Sequence, residues 1–183
     1  MMGKKIVVLN GSPRKNGNTA ALIRAFQEGA EGAGNVVTTF FLDDMNINGC
    51  KGCYGGGKDP ASPCVQKDDM DKIYPAYREA DVVVLASPLY FWDVSGQLKI
   101  AFDRLFAVAE SAPGYRNPPK QAALVMAAEG DDFEPAVKHY LEILSFLKWQ
   151  DIGQILAGNV NMPGDVDGKP ALEEARKLGA SIR

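Results

Sequence analysis

Five short apolar runs, each followed by a stretch long enough for a helix, constrain this chain more than any other feature. The runs fall at residues 4–9, 35–42, 81–86, 121–128 and 152–160. They are rich in valine, isoleucine, leucine and phenylalanine and nearly continuous in hydrophobicity, as strands buried on both faces must be. Helical spacing follows each run. After the first, Leu22, Ile23, Phe26 and Ala30 recur from Thr19 onward, with Asn18 as N-cap and Gly32 and Gly34 as stops. Residues 68–80, 96–110, 133–147 and 171–183 read as further helices, and Pro75 predicts a kink or a late start in the first of these. Strands alternating with helices imply a parallel sheet joined by right-handed crossovers. The expected fold is therefore α/β, a doubly wound five-stranded parallel sheet of order 2-1-3-4-5 with helices on both faces.

A chain of 183 residues, 46% of them hydrophobic, suits one domain over residues 1–183 with a substantial core. The 20 basic and 23 acidic residues are interspersed and sum to a charge of −3, so no basic stripe offers the phosphate neutralisation that nucleic acid requires. Four consecutive apolar residues near the start are too few for a signal-peptide core or a membrane span. The expectations are a cytoplasmic protein with no nucleic-acid or membrane partner. Three cysteines, Cys50, Cys53 and Cys64, lie close together and are odd in number, which argues against a disulfide framework.

In a sheet of this order ligands bind outside the carboxyl ends of strands one and three, where the winding reverses. The loop after strand one reads NGSPRKNGNT, ten residues where about two to six suffice for a connection. It carries glycines, the hydroxyls of Ser12 and Thr19, the amides of Asn16 and Asn18 and the cation of Arg14, and it opens a helix. Free N–H groups and the positive end of a helix dipole suit a phosphate there, although a polar turn ending in an N-cap has the same composition. The spacing matches neither a Walker loop nor GxGxxG. The loop after strand three reads SPLYFWDVSGQLK. Tyr90, Phe91 and Trp92 cannot all enter one core, so at least one is expected to be exposed or to cover a ligand, and a flat ring with polar edges suits both the aromatic surface and the loop backbone.

These segments, together with GCKGC and the CVQKDDM that follows it, and with ASPLYFWDVSGQLKIAFDR as a whole, resemble the NADPH-dependent FMN reductase family of the flavodoxin-like fold. Within that family the resemblance is to the branch of iron–sulfur flavoproteins and related flavin reductases. It spans about residues 5–105, with weaker agreement in GQILAGNV. It implies bound FMN, its phosphate surrounded by Ser12, Arg14, Asn18 and Thr19, and its ribityl chain and ring along Pro88, Leu89, Tyr90, Phe91 and Trp92. The loop after strand four, AAEGDD, would be a third contributor, its Glu129 bringing negative charge toward the ring. The implied activity passes electrons from NAD(P)H through FMN to a small acceptor such as a quinone or free flavin. No side chain is singled out as a general acid or base. The rival reading is a non-enzymatic FMN electron carrier for a protein partner. A receiver-like signalling domain would need an aspartate ending strand three, where this chain has Ser87 and Pro88.

The cysteines depart from the branch. Its members carry C-x2-C-x2-C and a fourth cysteine shortly after, whereas this chain has Gly56 at the third position. An intact four-iron cluster of the usual kind is not expected, no metal site is assigned, and a residual motif, a redox pair or a bound ion stay open. The lone His139 falls in a helix far along the chain. Asp68, Asp69 and Asp71 read as charges favouring a helix start, and Lys99 and Arg104 as solvated charges. The aromatic loop and the long cysteine segment offer apolar edges that suggest a homodimer or homotetramer.

Overall fold

Alternate residues of each strand point to opposite faces, so every buried strand of this chain feeds two cores. Val7, Leu9, Val83, Leu85, Leu124 and Met126 enter one. Ile6, Val8, Val82, Val84, Ala123 and Val125 enter the other. The computed structural model describes residues 3–57 and 59–183. Its strands are β1 (Lys5–Asn10), β2 (Val36–Phe41), β3 (Val82–Pro88), β4 (Gln121–Ala127) and β5 (Gln150–Ala157). They form one sheet of order β2-β1-β3-β4-β5 with every neighbouring pair parallel. The expected flavodoxin-like order is the observed one.

Among the described residues six α-helices cover it: α1 (Asn18–Gly32), α2 (Met70–Glu79), α3 (Gly96–Arg104), α4 (Phe106–Glu110), α5 (Glu134–Leu147) and α6 (Pro170–Ser181). α1 and α6 pack on one face, and the other four on the opposite face. α1 and α6 touch backbone to backbone. A Cβ on Gly29 would meet the Arg176 carbonyl oxygen at 1.9 Å, and one on Gly179 would meet that of Phe26 at 2.1 Å. Among the described residues no helix is long and apolar enough to cross a membrane.

Three boundaries differ from the sequence reading. β3 runs on through Ser87 and Pro88, which stay in register with Met126 and Ala127 of β4, and the Leu89 N–H donates to the Ala127 carbonyl at 2.9 Å. The expected helix over 96–110 divides at Leu105, where tighter bonds from Leu105 to Phe102 and from Val108 to Leu105 replace the α-helical ladder. α2 starts late, at Met70, and continues through Pro75.

The late start has an electrostatic cause. Arg104 is not solvated, contrary to the sequence reading: it is 1% exposed and forms a fork with Asp68, itself 2% exposed, through contacts of 2.7 and 3.1 Å. The same guanidinium donates to the carbonyls of Asn48 and Gln66, so the last residue of α3 joins two points, 18 residues apart, of the segment before α2. Its Nε is the one buried side-chain polar atom without a partner among the described residues. Asp68 also accepts the Met70 N–H. Asp69 and Asp71 serve less as caps than as tethers, to the Asn46 N–H and the Ser62 hydroxyl. Lys99 is half exposed and pairs with Asp103.

Burial opposes charge on Asp68, but the Arg104 guanidinium and the N–H groups of Asn48 and Met70 outweigh it and hold the carboxyl below its ordinary range. A depressed carboxyl contributes stability above its unfolded pKa and loses it as pH falls through the folded one. Asp68→Asn is therefore expected to lower the unfolding free energy by about 3–5 kcal/mol at pH 7. In urea titrations that gap should narrow once the pH drops below about 4.

Candidate active site

The carboxyl ends of β1 and β3 are stitched together by buried hydroxyls. The Gly11 N–H donates to the Ala86 carbonyl at 2.8 Å. The Ser95 hydroxyl donates to the Gly11 carbonyl at 2.7 Å and caps α3 by accepting the Leu98 N–H. The Ser95 N–H in turn donates to the Ser87 hydroxyl at 2.8 Å. Ser87 and Ser95 are 0% and 1% exposed. The fit requires glycine at position 11, where a Cβ would lie 2.6 Å from both the Leu98 Cβ and the Ser95 oxygen. Ser95 escaped the sequence reading. Its place before a helical run marks a cap, but nothing in the sequence shows that it also binds the other loop.

Beside this seam lies a crevice of about 310 Å³ that brings the two loops together. Ser12, Arg14, Asn18 and Thr19 line it from the first loop, and Pro88, Leu89 and Tyr90 from the second. Gly17, with extended backbone, precedes α1, and no side chain caps that helix. The first-turn N–H groups of Asn18, Thr19 and Ala20 thus have no intrahelical partner and carry the positive end of the dipole. Asn18 is not the N-cap that the sequence suggested. It lies within the helix, and its amide bridges elsewhere, donating to the Met162 carbonyl at 3.0 Å and accepting the Val166 N–H at 3.3 Å. Arg14 similarly donates to the Asn161 carbonyl at 2.8 Å. Both side chains latch the loop after β5, which adds Val160 and Asn161 to the crevice. Sequence reasoning missed these two, because β3 and β4 lie between β1 and β5 in the sheet, and it is the loop's path back to α6, packed against α1, that brings it beside the first loop.

A second crevice, of about 540 Å³, shares Leu89, Tyr90, Ala128 and Glu129 with the first and continues past Phe91 and Trp92. Tyr90 and Asp93 pair in both directions, at 2.9 and 3.1 Å, across a two-residue turn. Phe91 and Trp92 occupy that turn at φ 48° and 60°. A hairpin turn of this kind favours Asn-Gly, and each bulky residue held there costs about 1–2 kcal/mol. Tyr90, Phe91 and Trp92 are 46%, 97% and 55% exposed. All three aromatics thus stand outside the core, the outcome expected for at least one.

The sequence profile of the NADPH-dependent FMN reductase family matches residues 4–161. The chain belongs to that family. FMN is its cofactor, NAD(P)H its co-substrate, and its chemistry is flavin-dependent oxidoreduction. An iron–sulfur flavoprotein of Archaeoglobus fulgidus is 32% identical over 178 residues, which cover 97% of this chain and 78% of the relative. Another, from Methanosarcina thermophila, is 32% identical over 171 residues, covering 93% and 85%. These relatives set the chain in the iron–sulfur flavoprotein branch of the family. Among solved structures, an NAD(P)H:quinone oxidoreductase from Methanothermobacter marburgensis superposes with a TM-score of 0.74 over 97% of this chain and 96% of that one, at 18% identity. That likeness establishes the fold.

The two crevices fit FMN. An uncapped helix start beside two hydroxyls suits a phosphate dianion, and Gly17 keeps the approach open where a Cβ would crowd the Arg14 side chain at 2.9 Å. The cysteine segment does not fit a four-thiolate cluster. Cys50, Cys53 and Cys64 line a separate cavity of about 440 Å³. A Cβ on Gly56, at the position of the missing cysteine, would fall 2.5 Å from a Glu110 carboxylate oxygen and 2.8 Å from the Pro63 carbonyl. Among the described residues no three His, Cys, Asp or Glu side chains are placed to share one metal ion. His139 stands apart from the cysteines, its ring 3.4 Å from Asp93.

Two outcomes follow. Anaerobic incubation with ferrous iron and sulfide is expected to leave bound iron well below the roughly four atoms per chain that a cluster requires. Phe91→Asn, which relieves strain while giving up little packing, is expected to raise the stability of the flavin-free protein by about 1 kcal/mol in urea unfolding.

Proposed function

We propose that this chain is a flavin oxidoreductase that takes reducing equivalents from NAD(P)H and delivers them to a small acceptor such as a quinone or free flavin. One observation carries the reading. Two loops far apart in sequence converge on a single crevice at the ends of β1 and β3, beside a helix start whose N–H groups have no cap.

In this reading Ser12, Thr19 and the first-turn N–H groups of α1 hold the FMN phosphate. Arg14 and Asn18 act mainly by latching the loop after β5 against it. Pro88, Leu89 and Tyr90 lie along the ribityl chain, and Tyr90, Phe91 and Trp92 offer their faces to the ring in the second crevice. When bound, FMN supplies the hydride and electron transfer; the protein's part is orientation and a fixed field. The open side of the second crevice serves donor and acceptor in turn. Residues 1–183 act as one FMN-binding unit, and the exposed aromatic tip favours assembly into a homodimer or homotetramer.

Purified protein is expected to be yellow, to release FMN on acid treatment, and to oxidise NADPH in the presence of a quinone. Thr19→Val, which removes one hydroxyl from the phosphate crevice without changing its shape, is expected to weaken FMN binding by about ten- to a hundredfold in fluorescence titration. A colourless protein indifferent to FMN would overturn the reading. An FMN-loaded protein that ignores both nicotinamides would favour the non-enzymatic carrier.

A further inference from the structure

The charge of the second crevice is one-sided. One wall is aromatic, formed by Tyr90, Phe91 and Trp92. The opposite wall carries Glu129, Asp131 and Asp132, and no lysine, arginine or histidine among the described residues lines the space between them. The carboxylates are held at the rim by ordered backbone. The Ala128 N–H donates to the Ala157 carbonyl, and the Ala128 and Gly130 carbonyls accept the N–H groups of Val160 and Asn159, all at 2.9–3.0 Å. Asp132 accepts the Trp92 indole N–H at 2.9 Å, which joins the acidic wall to the aromatic one. The cations of the adjoining loops are committed elsewhere. Arg14 bonds the Asn161 carbonyl in the phosphate crevice, and Lys169 reaches the Gly158 carbonyl behind the rim.

We infer that this crevice selects its electron acceptors by charge, favouring cationic aromatic acceptors over neutral ones and both over acceptors whose negative charge must come close to the ring, a constraint NAD(P)H escapes because its phosphates are remote from its nicotinamide. This rests on the proposed placement of the flavin ring. Three exposed carboxylates beside an apolar wall, one of them held by the Trp92 indole, disfavour an anion as it approaches the ring. They attract a cation, which also gains from the quadrupoles of the aromatic faces. The reaction itself is the ordinary two-electron reduction of a quinone to a hydroquinone, in which NAD(P)H gives up a hydride equivalent to become NAD(P)+ and one further proton comes from water. Charge on the acceptor's side arm alters only its approach and seating.

The experiment uses the FMN-loaded protein, saturating NADPH and three naphthoquinones that differ only at the end of one thioether arm: trimethylammonium, methoxy or sulfonate. At low ionic strength kcat/KM is expected to fall in that order, with about tenfold or more between the cationic and anionic members. At about 0.3 M salt, where screening acts over less than the width of the crevice, the spread should contract severalfold. The double variant Glu129→Gln/Asp131→Asn should narrow the ratio at low salt, and because the readout is a ratio, a change in overall activity does not obscure it. Equal kcat/KM for the three quinones, a preference for the sulfonate, or a spread unchanged by both salt and the double variant would overturn the inference while leaving the oxidoreductase reading intact. Absence of turnover with any of them would instead overturn the reading on which it rests, and this inference with it.

Discussion

The seam of buried hydroxyls between β1 and β3 is the constraint on which the site depends. Parallel strands bring their carboxyl ends to one edge, but adjacency alone does not set the relation of the loops that leave them. Ser95 sets it by bonding the Gly11 carbonyl while capping α3 and resting on Ser87. Away from water, each of these groups would be costly to leave unpaired. The first loop, the third loop and the start of α3 therefore take one arrangement. The crevice beside the start of α1 and the aromatic hairpin inherit their relative position from it.

Two of the six described non-glycine residues at positive φ stand side by side in the aromatic hairpin. Phe91 and Trp92 occupy a turn suited to Asn-Gly, and Phe91 buries almost nothing in return. Conformations of this kind persist only where surrounding bonds impose them, here the paired bonds of Tyr90 and Asp93 and the indole bond to Asp132. A short, braced hairpin can hold a flat aromatic surface open to solvent, whereas a relaxed turn would let those rings fold back toward apolar contacts.

The cysteine segment follows the opposite logic. A buried fork between Arg104 and Asp68 anchors it, and Glu110 stands where a third motif cysteine would project. The segment carries Cys50, Cys53 and Cys64, with a carboxylate crowding the remaining motif position. In a region with little regular secondary structure, an ion pair excluded from water substitutes for the ladder bonds that hold the rest of the molecule.

Strand positions and the two loops that border the crevices were legible in the sequence, since each rests on short-range information, hydrophobic period and glycine content, while the expected strand order is the one that the family resemblance implies. All nine residues singled out for the cofactor line the two crevices. What each side chain does there was not legible. Asn18 and Arg14 bond to a loop more than 140 residues away, Ser95 serves two elements at once, and Arg104, read as a solvated charge, is among the most buried residues in the chain. These assignments depend on which segments tertiary packing brings within about 3 Å of one another. The sequence by itself determined the strands, the helices and the loops between them, because hydrophobic period and turn chemistry act locally. Only the tertiary structure decided the partners of the polar groups, because a hydrogen bond is satisfied by whatever lies nearest in space.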